Sequence, residues 1–267
     1  LDGFANINKL FNHRFGDQVL SRTAQLMQSV LPCNAKLFRN DGDEFFIILR
    51  DTANQQEVTA LYENLQQMLS GQQILDHKKY HCSVSAGCVA FPQDTQDLMS
   101  LTKYVGYALE KSKRSGKNRL SFYEKKMQEQ ESMSLNLLEQ LRYSMEHDYE
   151  GFYLAFQPQV DAISGRILGA EALARWSCDM YGNVPPLTFI PLLEKSGLII
   201  PVGKWIFEEA VKQCSIWEKR FSQFRVSVNL SYLQLNDESF ISFMKEMLEK
   251  YKIQGKNIVV EMTESHM

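Results

Sequence analysis

Apolar residues at Val19, Leu20, Ala24, Met27, Val30 and Leu31 recur at helical spacing through GDQVLSRTAQLMQSVL, so one face of that segment is built to pack. The next apolar runs are short. Residues 35–39 and 44–49 read as strands, with Asp41-Gly42 as the turn between them. Asp-Gly between two apolar runs favours a hairpin because glycine accepts positive φ. Residues 54–70 predict a helix, 80–91 (YHCSVSAGCVAF) a strand pair or one long strand, 97–115 a helix, and NRLSFY a closing strand. This alternation predicts a compact α/β domain over residues 1–123.

The pattern changes at residues 124–148. EKKMQEQESMSLNLLEQLRYSMEHD has neither glycine nor proline, and after a polar start Leu135, Leu138, Leu141, Arg142 and Met145 fall at helical spacing. It predicts a stiff linker helix. Residues 149–267 carry a second pattern: strands at 152–160 and 167–176, helices through 187–220, a strand at 225–230, a helix at 237–251 and a strand at 257–263. From Ala170 onward, strands and helices alternate as in a parallel βα architecture.

Composition narrows the class. The chain has 267 residues, enough for two domains, with 44% hydrophobic and 23% charged residues. Its net charge of −3 gives no basic excess for binding a nucleic-acid polymer. The five cysteines (Cys33, Cys82, Cys88, Cys178, Cys214) have neither CxxC nor metal spacing, so they read as reduced thiols of a cytoplasmic protein. The most apolar long stretch, LTFIPLLEKSGLIIPVGKWIF, is broken by Glu194, Lys195 and prolines. Membrane association is therefore expected only through segments outside this chain.

Candidate chemistry begins at the hairpin. Asp41, Asp43 and Glu44 crowd the turn of LFRNDGDEFFIIL, where carboxylates could be a charged tip or hold a hard cation. RNDGDEF, with FANINKLFNHRFGD upstream and SVSAG and ALEKSKRSGKN downstream, resembles the GGDEF, or diguanylate cyclase, family, which makes cyclic di-GMP from two GTP. The resemblance implies a central, mainly antiparallel sheet with its first strand cut away. It also implies Asp43 as a metal carboxylate beside Glu44, Asn8 and Asp17 as guanine contacts, and Lys113 and Lys117 as phosphate contacts. Four positions depart from the pattern: Ala5 for a lysine, Lys9 for an aspartate, Asn12 for a glycine and Asp41 for the first signature glycine. Asp41 puts bulk and negative charge where a triphosphate would approach. The expectation is a degenerate domain that binds GTP or serves as structure.

In the second half, FQPQVDAISGRILGAEALARW, PLTFIPLLEKSGLIIPVGKWIFEEAVKQ, VSVNLSYLQL and VVEMTES occur in order. Together they resemble the EAL family of cyclic di-GMP phosphodiesterases, whose fold is a TIM-like (β/α) barrel. By period two, Glu171, Leu173 and Arg175 share one strand face, Asn229 lies opposite Val226, Val228 and Leu230, and Glu261 comes near a strand end. The resemblance makes Glu171, Asn229 and Glu261 ligands of a two-metal Mg²⁺ or Mn²⁺ site. Gln157, Leu173 and Arg175 become substrate contacts, Glu264 a brace of the metal loop, and Glu171, Glu261 and Glu264 the catalytic carboxylates. The implied reaction hydrolyses cyclic di-GMP to linear pGpG. An eight-stranded barrel takes about 250 residues, so residues 149–267 are expected to form only its N-terminal half, inactive alone. Two alternatives stay open: a non-catalytic cyclic di-GMP receptor, and a bifunctional cyclase and phosphodiesterase. Family analogy adds a homodimer.

Overall fold

The computed structural model describes residues 1–52, 54–221 and 224–262. The chain divides into two compact units, Leu1–Ser132 and Met133–Met267.

The first unit opens with α1 (Phe4–Leu10) and α2 (His13–Val30). Asn12, where the resemblance leads one to expect glycine, has a positive φ of 133° and caps α2 by accepting the Phe15 N–H. The α2 stripe buries Phe15, Val19, Leu20 and Met27. Phe15 and Val19 pack with Ile7, Tyr80 and Cys82, and Met27 packs with Tyr62, Leu65, Leu69 and Val84. The predicted hairpin forms as β1 (Ala35–Arg39) antiparallel to β2 (Phe45–Leu49). Gly42 takes φ 54° at its tip, and the Asn40 N–H donates to the Glu44 carbonyl.

Beyond α3 (Gln55–Leu69) the structure departs from the pattern. Over 80–91 the strand pair forms rather than one long strand, its members have different partners, and a strand the pattern did not predict precedes it. β4 (Lys78–Cys82) pairs antiparallel with β3 (Gly71–Leu75), and β5 (Ala86–Cys88) precedes α4 (Leu98–Arg114) and pairs parallel with β6 (Leu120–Phe122). The β3–β4 turn uses Asp76 and His77 at φ 48° and 62°. It carries no glycine, and its first strand, GQQIL, is half polar, so the period-two signal is weak. The expected mainly antiparallel sheet is met in part, as a mixed set of strands. Among the described residues the unit has three two-stranded ladders, two antiparallel and one parallel.

The helix α5 (Lys125–Glu146) follows. Its later turns belong to the core of the second unit, because Leu137 and Leu141 are buried in the main cluster there. Ser144, also buried, accepts the indole N–H of Trp176 at 3.0 Å.

In the second unit, β7 (Phe152–Val160) and β8 (Ile167–Cys178) form an antiparallel hairpin, and β9 (Gly182–Val184) folds back on β8. Helices α6 (Pro186–Ser196) and α7 (Ile199–Glu218) lead into β10 (Arg225–Leu230). The short α8 (Tyr232–Leu235) and α9 (Glu238–Lys250) precede β11 (Ile258–Met262). The sheet order is β11-β10-β8-β7, with β8, β10 and β11 mutually parallel. One face carries Ala170, Ala172, Trp176, Val226 and Val228, all buried with Phe189, Val202, Phe207 and Val211 of α6 and α7. Those helices cover one face, as βα connections require. Among the described residues the sheet is open and does not close into a barrel.

Candidate functional site

Because side chains alternate along a strand, the polar residues of the second unit collect on the face opposite this core. Cross-strand register fixes their neighbours. Gln157 on β7 lies opposite Glu171 on β8, and Glu171 lies opposite Ser227 on β10. Asn229, two residues after Ser227, lies opposite Glu261 on β11. The amide Nδ2 of Asn229 donates to Glu171 Oε1 at 2.8 Å, so side chains from two parallel strands meet directly. Gly169 permits the close approach of those strands: a Cβ there would stand 2.3 Å from the Arg225 carbonyl oxygen. Below the contact, Gln159 Nε2 donates to Ser227 Oγ at 3.3 Å.

Two carboxylates and an amide on neighbouring strands offer oxygen donors, which suit a hard divalent cation such as Mg²⁺ or Mn²⁺. The donor chemistry therefore fits the metal site that the sequence implies. Glu171 is half-buried with Leu173 and Arg175 along the same face of β8. Arg175 donates to the Ala174 carbonyl at 2.9 Å. Glu264 lies outside the described residues.

The first-unit candidates are held differently. The Asp43 carbonyl accepts from the Leu1 backbone nitrogen at 2.9 Å. Glu44 accepts from Asn40 at 3.3 Å, and Asp41 turns back to accept the Gly42 N–H at 2.8 Å. Asn8 lies where α1 crosses Gly16 of α2; a Cβ on Gly16 would fall 2.0 Å from Asn8 Oδ1, which is buried without a partner. Asp17 is exposed on the next residue of α2, while Lys113 and Lys117 are exposed near the end of α4. Among the described residues no three histidine, cysteine, aspartate or glutamate side chains gather as a metal-binding group.

The structure also reveals polar residues that patterning does not single out. Ser231, just past β10, donates to Glu194 Oε1 on α6 at 2.6 Å, and its own N–H donates to Gln234 Oε1 at 2.8 Å. Their signal lay only in the N-x-S and PLLEKSG segments, where nothing but resemblance marks them.

Two known families match the chain, one over each unit. The diguanylate cyclase GGDEF domain matches residues 1–119, and the EAL domain matches residues 138–267. The chain has a GGDEF–EAL architecture. It is 30% identical over 266 residues to the bifunctional diguanylate cyclase/cyclic di-GMP phosphodiesterase MucR of Pseudomonas aeruginosa, covering 99% of this chain and 38% of that protein. It is 34% identical over 267 residues to the signaling protein YkoW of Bacillus subtilis, covering 99% of this chain and 33% of that protein. A solved PaMucR phosphodiesterase in complex with c-di-GMP is 34% identical, with a TM-score of 0.46 over 49% of this chain and 52% of that one. The GGDEF–EAL chain thus spans well under half the length of these two curated relatives. Its sequence is similar to those of cyclic di-GMP signalling enzymes. Among its described residues no helix is long and apolar enough to cross a membrane.

Proposed function

We propose that the EAL half of this chain belongs to a metal-dependent phosphodiesterase that opens cyclic di-GMP to linear pGpG. The observation that carries this reading is the meeting of Glu171 and Asn229 across β8 and β10, with Glu261 opposite Asn229 on β11. Glu171, Asn229 and Glu261 would hold Mg²⁺ or Mn²⁺. Bound there, the cations supply a water of lowered pKa and offset charge on the phosphate.

The chain's own residues do the rest. The Arg175 guanidinium presents planar N–H donors suited to a phosphate. Gln157, opposite Glu171, offers an amide to the nucleotide, and Leu173 between Glu171 and Arg175 provides an apolar surface for it. Glu264, which lies outside the described residues, keeps the role of metal-loop brace that the resemblance gives it. Hydrolysis adds one water across one phosphodiester: the P–O bond to a ribose breaks, the ribose oxygen takes a proton, and the phosphate stays on the other nucleotide.

A second reading concerns the GGDEF half, and the comparisons favour it over a silent upstream domain. MucR is named for both activities, and the hairpin that presents Asp43 and Glu44 is intact here. In that reading Asn8 and Asp17 contact guanine, Lys113 and Lys117 contact phosphate, and GTP is a substrate as well as a ligand. Asp41 and Ala5 weigh against synthesis, and the Asp41 charge also weakens the approach of a triphosphate. The protein acts as a cytoplasmic homodimer or as the cytoplasmic part of an anchored one.

Chromatographic product analysis of the full-length protein separates these readings. Cyclic di-GMP with Mg²⁺ or Mn²⁺ should yield pGpG. GTP alone, given to a Glu171→Ala variant, should accumulate cyclic di-GMP only if the enzyme is bifunctional. Tight cyclic di-GMP binding without turnover would replace both with a receptor.

A further inference from the structure

Asn229 is the penultimate residue of β10, so its position depends on what fixes the end of that strand. Leu230 is 1% exposed and anchors one side. The next residue, Ser231, makes two bonds that leave the sheet. Its hydroxyl donates to Glu194 Oε1 on α6 at 2.6 Å, and its N–H donates to Gln234 Oε1 on α8 at 2.8 Å. Gln234 is itself 2% exposed and lies against Gly203 of α7, where a Cβ would fall 1.8 Å from its Nε2. Three helices therefore converge on one turn, two residues beyond the amide that meets Glu171.

We infer that Glu194 is a positioning residue for the metal site, acting through Ser231 to hold Asn229 against Glu171. The inference rests on the phosphodiesterase reading for its activity readout, but not for its metal readout. A hydroxyl-to-carboxylate bond of 2.6 Å is charge-assisted and short, among the stronger bonds available to a partly buried serine. Without the carboxylate, the Ser231 hydroxyl loses this acceptor and the turn one of its two side-chain attachments. The Asn229 amide would then sample positions away from Glu171. Outer-shell supports of this kind typically cost about 10–100-fold in metal affinity or activity when removed.

The experiment uses the full-length protein with Glu194→Ala, Glu194→Gln and Ser231→Ala, thermal melting to verify folding, and Mn²⁺ alone as the calorimetric probe. Glu194→Ala and Ser231→Ala should each weaken Mn²⁺ binding about 10–100-fold and lower kcat for cyclic di-GMP to a similar degree. KM should stay within about twofold, because neither residue touches substrate. Glu194→Gln keeps an amide oxygen for the Ser231 hydroxyl and should recover most of both quantities. Wild-type Mn²⁺ affinity in folded Glu194→Ala, or equal damage from Glu194→Gln and Glu194→Ala, would overturn the inference. If Glu194→Ala does not fold, Ser231→Ala decides by the same two readouts. If the wild type binds Mn²⁺ but leaves cyclic di-GMP intact, the phosphodiesterase reading fails while the Mn²⁺ comparison still tests Glu194. A wild type that binds no Mn²⁺ overturns the positioning role outright.

Discussion

Asn229 Nδ2 donates to Glu171 Oε1 at 2.8 Å, across parallel strands, from a position 58 residues later in the chain. The bond orients a carboxylate that would otherwise rotate freely. It also leaves the amide oxygen of Asn229 available. Asn229→Leu removes both functions while keeping the side chain near its original volume. Mn²⁺ affinity should fall by at least the roughly 10–100-fold that a supporting residue costs, measured by calorimetry on the full-length protein. Unchanged affinity would show that the pair is not part of a metal site.

Gly203 and Gly106 should respond to alanine with opposite signs. At Gly203 the added methyl would fall 1.8 Å from buried Gln234 Nε2, whereas at Gly106, inside α4, it meets nothing within 4 Å. Gly203→Ala should destabilise the second unit by about 1–3 kcal/mol through overpacking. Gly106→Ala should stabilise the first by about 0.5–1 kcal/mol through helix propensity. Denaturant melts of each variant check the pair.

Ser144 tests whether the end of α5 belongs to the core of the second unit. Its hydroxyl accepts the Trp176 indole N–H at 3.0 Å, with both residues buried. Ser144→Ala strands that donor and should cost about 1–3 kcal/mol. A shift in Trp fluorescence should accompany the loss. Ser144→Ala indistinguishable from wild type would return the segment to a simple linker.

The thiols give a pH-dependent prediction. Burial pushes the Cys214 thiol up to about 11, and the Cys88 thiol likewise to about 11, with the Asp94 carboxylate adding to the effect at Cys88. A raised thiol pKa leaves less thiolate at neutral pH, and the thiolate is the nucleophile. Exposed Cys33 should therefore alkylate first at pH 8 in the native protein. Labelling of Cys88 and Cys214 should lag and continue to rise toward pH 11. Peptide mass spectrometry over a pH series reads the order directly.

Much of this arrangement is legible in the residues. The α2 stripe, the Asp41-Gly42 hairpin and the strand alternation around Glu171 each follow from a periodicity that local packing enforces. Period two also separates Glu171 and Asn229 from the buried alanines and valines beside them. The β3–β4 hairpin was not legible, because Asp76 and His77 take left-handed backbone without the glycine that announces such turns. Nor was the division of α5, since Leu137 and Leu141 look alike on any amphipathic helix until their partners are known. Glu194 was hidden for a related reason: its role depends on a serine 37 residues away. Spacing along the sequence cannot report such a contact.

The most direct measurement compares full-length wild type with Glu171→Gln in Mn²⁺ at saturating cyclic di-GMP, following pGpG release alongside equilibrium binding of cyclic di-GMP. The account predicts a fall in kcat of about 10²-fold or more, with nucleotide still bound through Arg175 and Gln157. Equal pGpG release from both proteins, or none from either, would contradict it.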